Sequence, residues 1–183
     1  MACDKKNFIP RLSRACRRFS ADRDGVADVE IAIIAVPFIT LVFAIIEISV
    51  IFFVSSALDN GALEASRDIR TGELQVAGAN PAAFTTTVCQ GMGGLVNCDD
   101  LIVDVRRFAD FGSTNTLPFA QNDEGEIDLS DLAFDAGGPN DVIVVSVGVN
   151  WRVVTPFLAP FLANNGDDRV FLLSTLSFRN EPF

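Results

Sequence analysis

The chain has 183 residues and a net charge of −10, which suits one domain, or a small domain with an anchor, and argues against nucleic-acid binding. It contains no histidine, the commonest general base and metal ligand, and no plausible serine or cysteine nucleophile constellation. We therefore expect no catalysis, no cofactor, no metal site and no small-molecule substrate.

The charge is unevenly distributed along the chain. Residues 1–25 carry seven basic and three acidic side chains, a net charge of +4, which leaves −14 for the remainder. A basic leader followed by an apolar block is typical of a membrane segment whose N-terminal flank stays in the cytoplasm. The sequence thus predicts a cytoplasmic leader (1–25), a transmembrane helix (26–54) and a periplasmic α+β head (55–183) that begins with the continuation of the helix.

The apolar block reads "IAIIAVPFITLVFAIIEISVIFFV" from Ile31 to Val54. As a helix it would be roughly 36 Å long, against about 30 Å of hydrocarbon, so one tilted span fits. A span that ended at Glu47 would be too short, which places Glu47 within the outer third of the bilayer. Its carboxylate there contacts a neighbouring helix, reaches toward the outer interface, or is protonated.

Pro37 lies inside the same block. It removes one backbone donor and frees the carbonyl near Ile33, so we expect a kink or a local loosening of the helix. Two interpretations stay open: the kink helps the helix to pass from the bilayer into a helix bundle, or it is a proline that the membrane tolerates.

A helical period continues beyond the span. Leu58, Ala62, Ala65 and Ile69 recur every three or four residues and form a stripe suited to close packing on a sheet. No strong helix breaker precedes this stripe. One helix from about Val26 to Thr71 is therefore predicted, with Gly72 as its C-terminal stop.

The remaining elements are shorter. Asn80 as N-cap and Pro81 at the first helical position predict a helix over 81–91, and a second Pro-started helix or turn is predicted within "TPFLAPFLANNGDD", residues 155–168. Alternating apolar residues predict strands at 101–108, 141–151 and 169–178. The predicted fold is α+β, a long N-terminal helix packed on a small antiparallel sheet. Its sheet-side core comprises Val145, Val147, Val149, Trp151, Leu172, Leu176 and Phe178.

The four cysteines divide between the two sides of the membrane. Cys3 and Cys16 fall in the leader, which the cytoplasm would keep reduced, whereas Cys89 and Cys98 are exported and close a short loop. We predict a disulfide between Cys89 and Cys98, the alternative being two buried free thiols.

The acidic stretch "NDEGEIDLSD", residues 122–131, fails the spacing of a calcium-binding loop. We predict a solvated loop, with weak calcium binding as the alternative.

An unusual acid lies at the start of the apolar block, where Glu30 follows Gly25 by five residues. If a peptidase cuts after Gly25, Val26 becomes the first residue and its α-amino group, charged at neutral pH, lies about one helical turn from Glu30. Either charge alone in lipid would be costly, so each neutralises the other. The pair forms within one chain or between adjacent chains, and the second arrangement fixes an axial offset between packed helices.

This pattern resembles the class III signal of type IV pilins and pseudopilins, and the chain is similar to the TadE family of the Tad/Flp (tight adherence) pilus assembly system. The similarity extends over "DGVADVEIAIIAVPFITLVFAIIEISV", "LEASRDIRTG", the cysteines at 89 and 98, "VDVRRF" at 103–108 and the terminal "FRNEPF". It implies a pilin-like fold, cleavage at Gly25 by a prepilin peptidase, and retention in the bacterial inner membrane. It further implies a minor pilin or pseudopilin that initiates or supports assembly of the major pilin fibre. We expect contacts with the major pilin and a second pseudopilin, and we assign Glu30, Pro37 and Glu47 to them.

Two other classes of function remain open. In the first, "VSSA" ending at Ala57 is a signal-peptidase site and the head is a secreted domain. In the second, nothing is cleaved and the chain is a single-pass envelope protein with a binding or sensing module. The first residue of the mature protein distinguishes the three functions. It is Val26 for a processed pilin or pseudopilin, Leu58 for a secreted domain and Met1 for an uncleaved envelope protein.

Overall fold

The computed structural model describes residues 25–114, 119, 127–155, 157–165 and 168–183, with side chains of the first helix described from Asp28 onward. Of the predicted leader, residues 1–25, all but Gly25 lie outside the described residues. Contacts divide the chain into one unit that ends at Phe43 and a second unit, Ala44–Phe183, which holds the sheet.

Helix α1 spans Gly25–Arg70 without interruption and passes through Pro37. It stops at the predicted place, because Gly72 adopts a φ of 84°, a left-handed conformation that favours glycine. The ring of Phe183 also lies against Gly72, where a Cβ atom would collide with it. Both the backbone conformation and the packing therefore require glycine after this helix.

A one-turn helix, α2 (Glu73–Val76), leads to helix α3 (Pro81–Gly91), whose limits agree with the prediction. Asn80 is its N-cap, since the Asn80 Oδ1 atom accepts a hydrogen bond of 2.9 Å from the backbone N–H of Ala82. Two glycines let α3 approach α1 closely: a Cβ atom on Gly91 would lie 2.7 Å from the Cα atom of Gly61.

Three antiparallel strands form the sheet in the order β1 (Leu101–Phe108), β2 (Val142–Arg152) and β3 (Arg169–Arg179). Val145 of β2 lies opposite Val105 of β1 and Leu176 of β3. The short helix α4 (Ala159–Leu162) lies between β2 and β3. The α+β prediction is confirmed, and the strand limits agree with the predicted ones to within one residue.

The core lies between the sheet and the second half of α1. The stripe of Leu58, Ala62, Ala65 and Ile69 is fully buried against the alternating face of β2, Ile143, Val145, Val147 and Val149. Of the other predicted core residues, Leu172 is buried, whereas Trp151, Leu176 and Phe178 are partly buried at the margin. Each fully buried Leu or Val contributes about 1.5–3 kcal/mol relative to exposure, so this stripe holds the head to its helix.

The opposite face of β2 is also covered, which the sequence analysis did not predict. Ser146 is fully buried there, and the ring of Phe171 lies over Gly148, where a side chain would collide with it. Phe119 packs edge-on against Phe171, with ring centroids 5.3 Å apart. The sheet therefore has a second, smaller apolar layer.

The predicted disulfide is present. Cys89 in the last turn of α3 is bonded to Cys98, with their Cα atoms 5.5 Å apart. Cys98 opens the short 3-10 turn Cys98–Asp100, which leads directly into β1. The bond therefore ties α3 to the start of the sheet.

Candidate functional site

Along the first half of α1, apolar side chains are exposed and an acidic side chain is buried, the reverse of the usual pattern in a water-soluble protein. From residue 28 to residue 53, Glu47 is the one buried side chain, while apolar side chains such as Ile33, Ile34, Phe52 and Phe53 are exposed. Exposed apolar surface of this extent marks contact with a membrane or a partner protein. By length and composition, α1 is the one helix in the described residues that could cross a membrane, and 6% of its most apolar window is buried. That low burial distinguishes it from the core helix of a soluble domain.

The first unit contains the predicted processing site. Gly25 and Val26 lie in the first turn of α1, and Glu30 lies one turn further along with its side chain exposed. Glu30 has no hydrogen-bond or ion-pair partner within the part of the chain that the structure describes. Pro37 is also exposed, in an unbroken stretch of helix. Cleavage after Gly25, the pairing of Glu30 and a kink at Pro37 stay predictions.

The second unit contains Glu47, whose carboxylate is bonded to the head of its own chain. Its Oε1 atom accepts a 3.0 Å hydrogen bond from the backbone N–H of Val154, and its Oε2 atom accepts one of 2.9 Å from Thr155 Oγ1. These hydrogen bonds replace the water that burial removes from the two carboxyl oxygens. From the sequence, Glu47 was expected to contact a neighbouring helix, to reach the outer interface or to be protonated. Its bonds to Val154 and Thr155 could not be predicted, because no local signal connects residues more than 100 positions apart.

The "VDVRRF" segment organises the loop that follows β1. Asp104, at 1% exposure, accepts a hydrogen bond of 2.8 Å from the backbone N–H of Ala133, and its ion pair with Arg106 Nε is 2.9 Å long. Arg106 Nη1 lies 3.2 Å from the carboxylate of Asp131. The hydrogen bond from Arg106 to Asp104 is the main cause that raises the pKa of the Arg106 guanidinium above its ordinary value. Because both ion pairs share one guanidinium, they hold the loop against the sheet.

The same loop covers part of the outer edge of β1. Val105 N–H donates to the carbonyl of Ala133, and Asp135 N–H donates to the carbonyl of Val105, each over 2.8 Å. Phe134 packs edge-on against Phe84 of α3, with centroids 5.8 Å apart. Pairing with a loop protects a strand edge from other chains.

The terminal "FRNEPF" segment fastens the end of α1 to the sheet. Arg70 Nη2 lies 3.0 Å from Glu181 Oε1, and the N–H of Glu181 donates to the carbonyl of Arg70. Asn180 is buried and donates through Nδ2 to the carbonyls of Ala136 and Gly138. The segment therefore has a structural role that the sequence did not reveal.

The acidic stretch is only partly described. Asp123, Glu124 and Glu126 lie outside the described residues, while Asp128 accepts a hydrogen bond from the N–H of Ser130 and Asp131 pairs with Arg106. Hydrogen bonds from Ser130 lower the pKa of Asp128. Among the residues with described positions, no group of three or more metal-ligating side chains was found. The prediction of a solvated loop, with weak calcium binding as its alternative, stays a prediction.

Together, these features define an α+β protein with one candidate membrane span. Its helix carries two unusual acids: Glu30, which has no partner among the described residues, and Glu47, which is hydrogen-bonded to the head. Residues 25–67 match the family model for TadE-like protein. The resemblance seen in the sequence is confirmed over this segment, which covers most of α1. The family that this model describes is a structural one, associated with the Tad pilus. No curated protein and no solved structure matched the chain.

Proposed function

We propose that the protein is a minor pilin or pseudopilin-like structural component of Tad (Flp) pilus assembly, anchored in the bacterial inner membrane with its head in the periplasm. The observation that carries this proposal is the exposed apolar surface of α1 in the segment that matches the TadE-like family. In that segment Glu30 lies close to Gly25 and has no partner within the described part of the chain. An exposed apolar helix serves first as a membrane anchor and then as a contact for other such helices.

The mechanism begins with cleavage after Gly25 by a prepilin peptidase. The new α-amino group of Val26 then lies about one turn from Glu30. In a low-dielectric environment two opposite charges attract strongly, and each is costly when alone. A pair formed between the amine of one chain and Glu30 of the next sets the axial offset at which two subunits pack.

Pro37 and Glu47, the other two residues expected to contact partner subunits, differ in whether they are free to do so. Pro37 is exposed on α1, so we propose that it lies in the contact with the major pilin or a second pseudopilin. Glu47 already binds Val154 and Thr155 with its two oxygens. A contact of Glu47 with another subunit would therefore have to share or replace these bonds.

The geometry disfavours a secreted form produced by cleavage after Ala57. The cut would fall inside α1, directly before Leu58, which is 1% exposed in the core. It would also remove Val54, another fully buried residue, and Glu47 with its bonds to the head. The remaining fragment would lose packing and leave the N–H of Val154 without its acceptor.

The replacement Glu30→Ala tests the pairing role. We expect the variant to be inserted and cleaved like the wild type, because neither step needs the charge pair, but to lose co-purification with the other pilus subunits from solubilised membranes. Asp59→Ala is the matched control, since Asp59 is an exposed carboxylate on the same helix beyond the apolar block. Co-purification of Glu30→Ala at the wild-type level would refute the pairing mechanism.

A further inference from the structure

The loop between β2 and β3 is unusually apolar for an exposed segment. Residues 153–163 read "VVTPFLAPFLA" and carry no charged side chain, although Arg152 precedes them and Asp167, Asp168 and Arg169 follow. Val154 is 76% exposed and Phe161 is 84% exposed, and Phe157 is also exposed. Apolar side chains that cluster in this way on a surface mark a contact site.

Glu47 fixes the position of this loop along α1. The bonds from Val154 and Thr155 hold the start of the loop beside residue 47 of the helix. Glu47 precedes Val54, the end of the apolar block, by two helical turns, or about 10 Å along the axis. The neighbouring helix residues Ile45, Ile46 and Phe52 are themselves exposed and apolar. The loop therefore lies level with a part of α1 whose surface suits lipid rather than water.

Several backbone N–H groups of the loop are hydrogen-bonded within the chain. Val153 N–H donates to the carbonyl of Asp168, and Val154 N–H donates to Glu47. Within the loop, Leu158 N–H donates to Thr155, and Phe161 and Leu162 both donate to Leu158. Prolines, which have no N–H, occupy 156 and 160. Backbone donors that are bonded internally can enter the membrane interface at low cost.

From these contacts we infer that the β2–β3 loop is a second membrane contact, in which Val154, Phe157 and Phe161 insert into the outer leaflet while Glu47 fastens the loop to the span. The ligand is the acyl-headgroup boundary of the bilayer, which takes apolar and aromatic side chains to a depth of about 5–10 Å. The inference rests on the proposal that α1 spans the membrane. In this arrangement the head is attached to the bilayer through both α1 and the β2–β3 loop, and the two attachments limit the tilt of the head relative to the bilayer.

Tryptophan fluorescence in proteoliposomes tests this inference with the full chain. In a Trp151→Phe background, single tryptophans are introduced as Phe161→Trp, Phe38→Trp and Val76→Trp. Phe38 lies in the span, and Val76 is the matched control because it is 88% exposed on α2, beyond the far end of α1. The vesicles contain phosphatidylcholine with or without bromine on the acyl chains, which quenches only tryptophans in contact with lipid chains.

We expect Phe161→Trp to lose emission to an extent comparable with Phe38→Trp, while Val76→Trp keeps its emission. If Phe38→Trp is quenched and Phe161→Trp behaves like Val76→Trp, the loop lies in water or on protein, and the inference fails while the span stands. If Phe38→Trp is not quenched either, both the span and the inference are wrong.

Substitution of Glu47 tests the fastening role. Glu47→Leu removes both acceptors, so the quenching of Phe161→Trp should fall, whereas Glu47→Gln keeps one carbonyl acceptor and should retain most of it. Equal quenching in the wild type and the Leu variant would contradict a fastening role for Glu47.

Discussion

Asp141 connects three parts of the head at the start of β2. Its Oδ2 atom accepts a 2.8 Å hydrogen bond from Gly138 N–H and lies 3.5 Å from Arg107 Nη1, while its carbonyl accepts from Asn180 N–H. The hydrogen bond from Gly138 is the main cause that lowers the pKa of Asp141 below its ordinary value of 3.8, and Arg107 adds to the effect. The carboxylate is thus stabilised in its charged form by folding.

This shift predicts an acid-sensitive contribution to stability. A carboxyl with a lower pKa in the folded state stabilises the fold above its unfolded pKa, and the contribution is lost as the pH falls through the folded value. We therefore expect the melting temperature of the full chain in detergent to fall below about pH 4. Asp141→Asn should weaken this dependence, leaving the part due to Asp128.

The control for this measurement is Asp59→Asn, which alters an exposed carboxylate on α1. This variant should keep the wild-type dependence of melting temperature on pH. An unchanged dependence in Asp141→Asn would mean that the bonds from Gly138 and Arg107 do not contribute to stability.

Among the elements, the connection between α3 and β1 depends on the Cys89–Cys98 disulfide. The bond closes a short loop, with a sequence separation of 9. A cross-link of this length restricts the unfolded chain and stabilises the folded one by about 2–3 kcal/mol. Cys98→Ser should therefore lower the free energy of unfolding by that amount, measured by denaturant unfolding under oxidising conditions.

The control for the disulfide is Cys3→Ser, which alters a cysteine of the leader and should leave unfolding unchanged. A reductant should lower the stability of the wild type to that of Cys98→Ser and have no effect on the variant itself. Equal stability of the wild type and Cys98→Ser would show that the bridge adds nothing to the fold.

The helices and strands could be predicted because their signals are local. The stripe from Leu58 to Ile69, the cap at Asn80 and the alternation in β2 each lie within a few residues, so the sequence alone predicts α1, α3 and the sheet. The disulfide was predictable for the same reason, since its cysteines are close in sequence and both follow the apolar block.

The contacts that join distant segments could not be predicted. Asp104 binds Ala133, and Glu47 binds Thr155, through loops that have no periodicity. The second apolar layer was missed because Ser146 and Gly148 suggest a polar face, whereas Gly148 is small to admit the ring of Phe171. Of the candidate site, the sequence therefore predicts which acids are unusual but not which groups bind them.

At the scale of the whole molecule, the two acids of the apolar helix have different environments. Glu47 is buried and bonded to the head, so both of its carboxyl oxygens have partners within the same chain. Glu30 is exposed and has no partner in the described residues; in the proposed mechanism its partner is the amine that processing produces. This difference is the physical basis for assigning Glu30 to assembly and Glu47 to the position of the head.

The most direct test of this account is the identity of the first residue of the protein isolated from native membranes. N-terminal sequencing together with intact mass measurement should give Val26, with the seven basic residues of the leader removed. A Gly25→Leu variant, which blocks the proposed cut, should retain the leader. If the wild-type protein begins at Met1, no terminal amine lies near Glu30 and the proposed assembly mechanism is wrong; if it begins at Leu58, the chain has no membrane anchor at all.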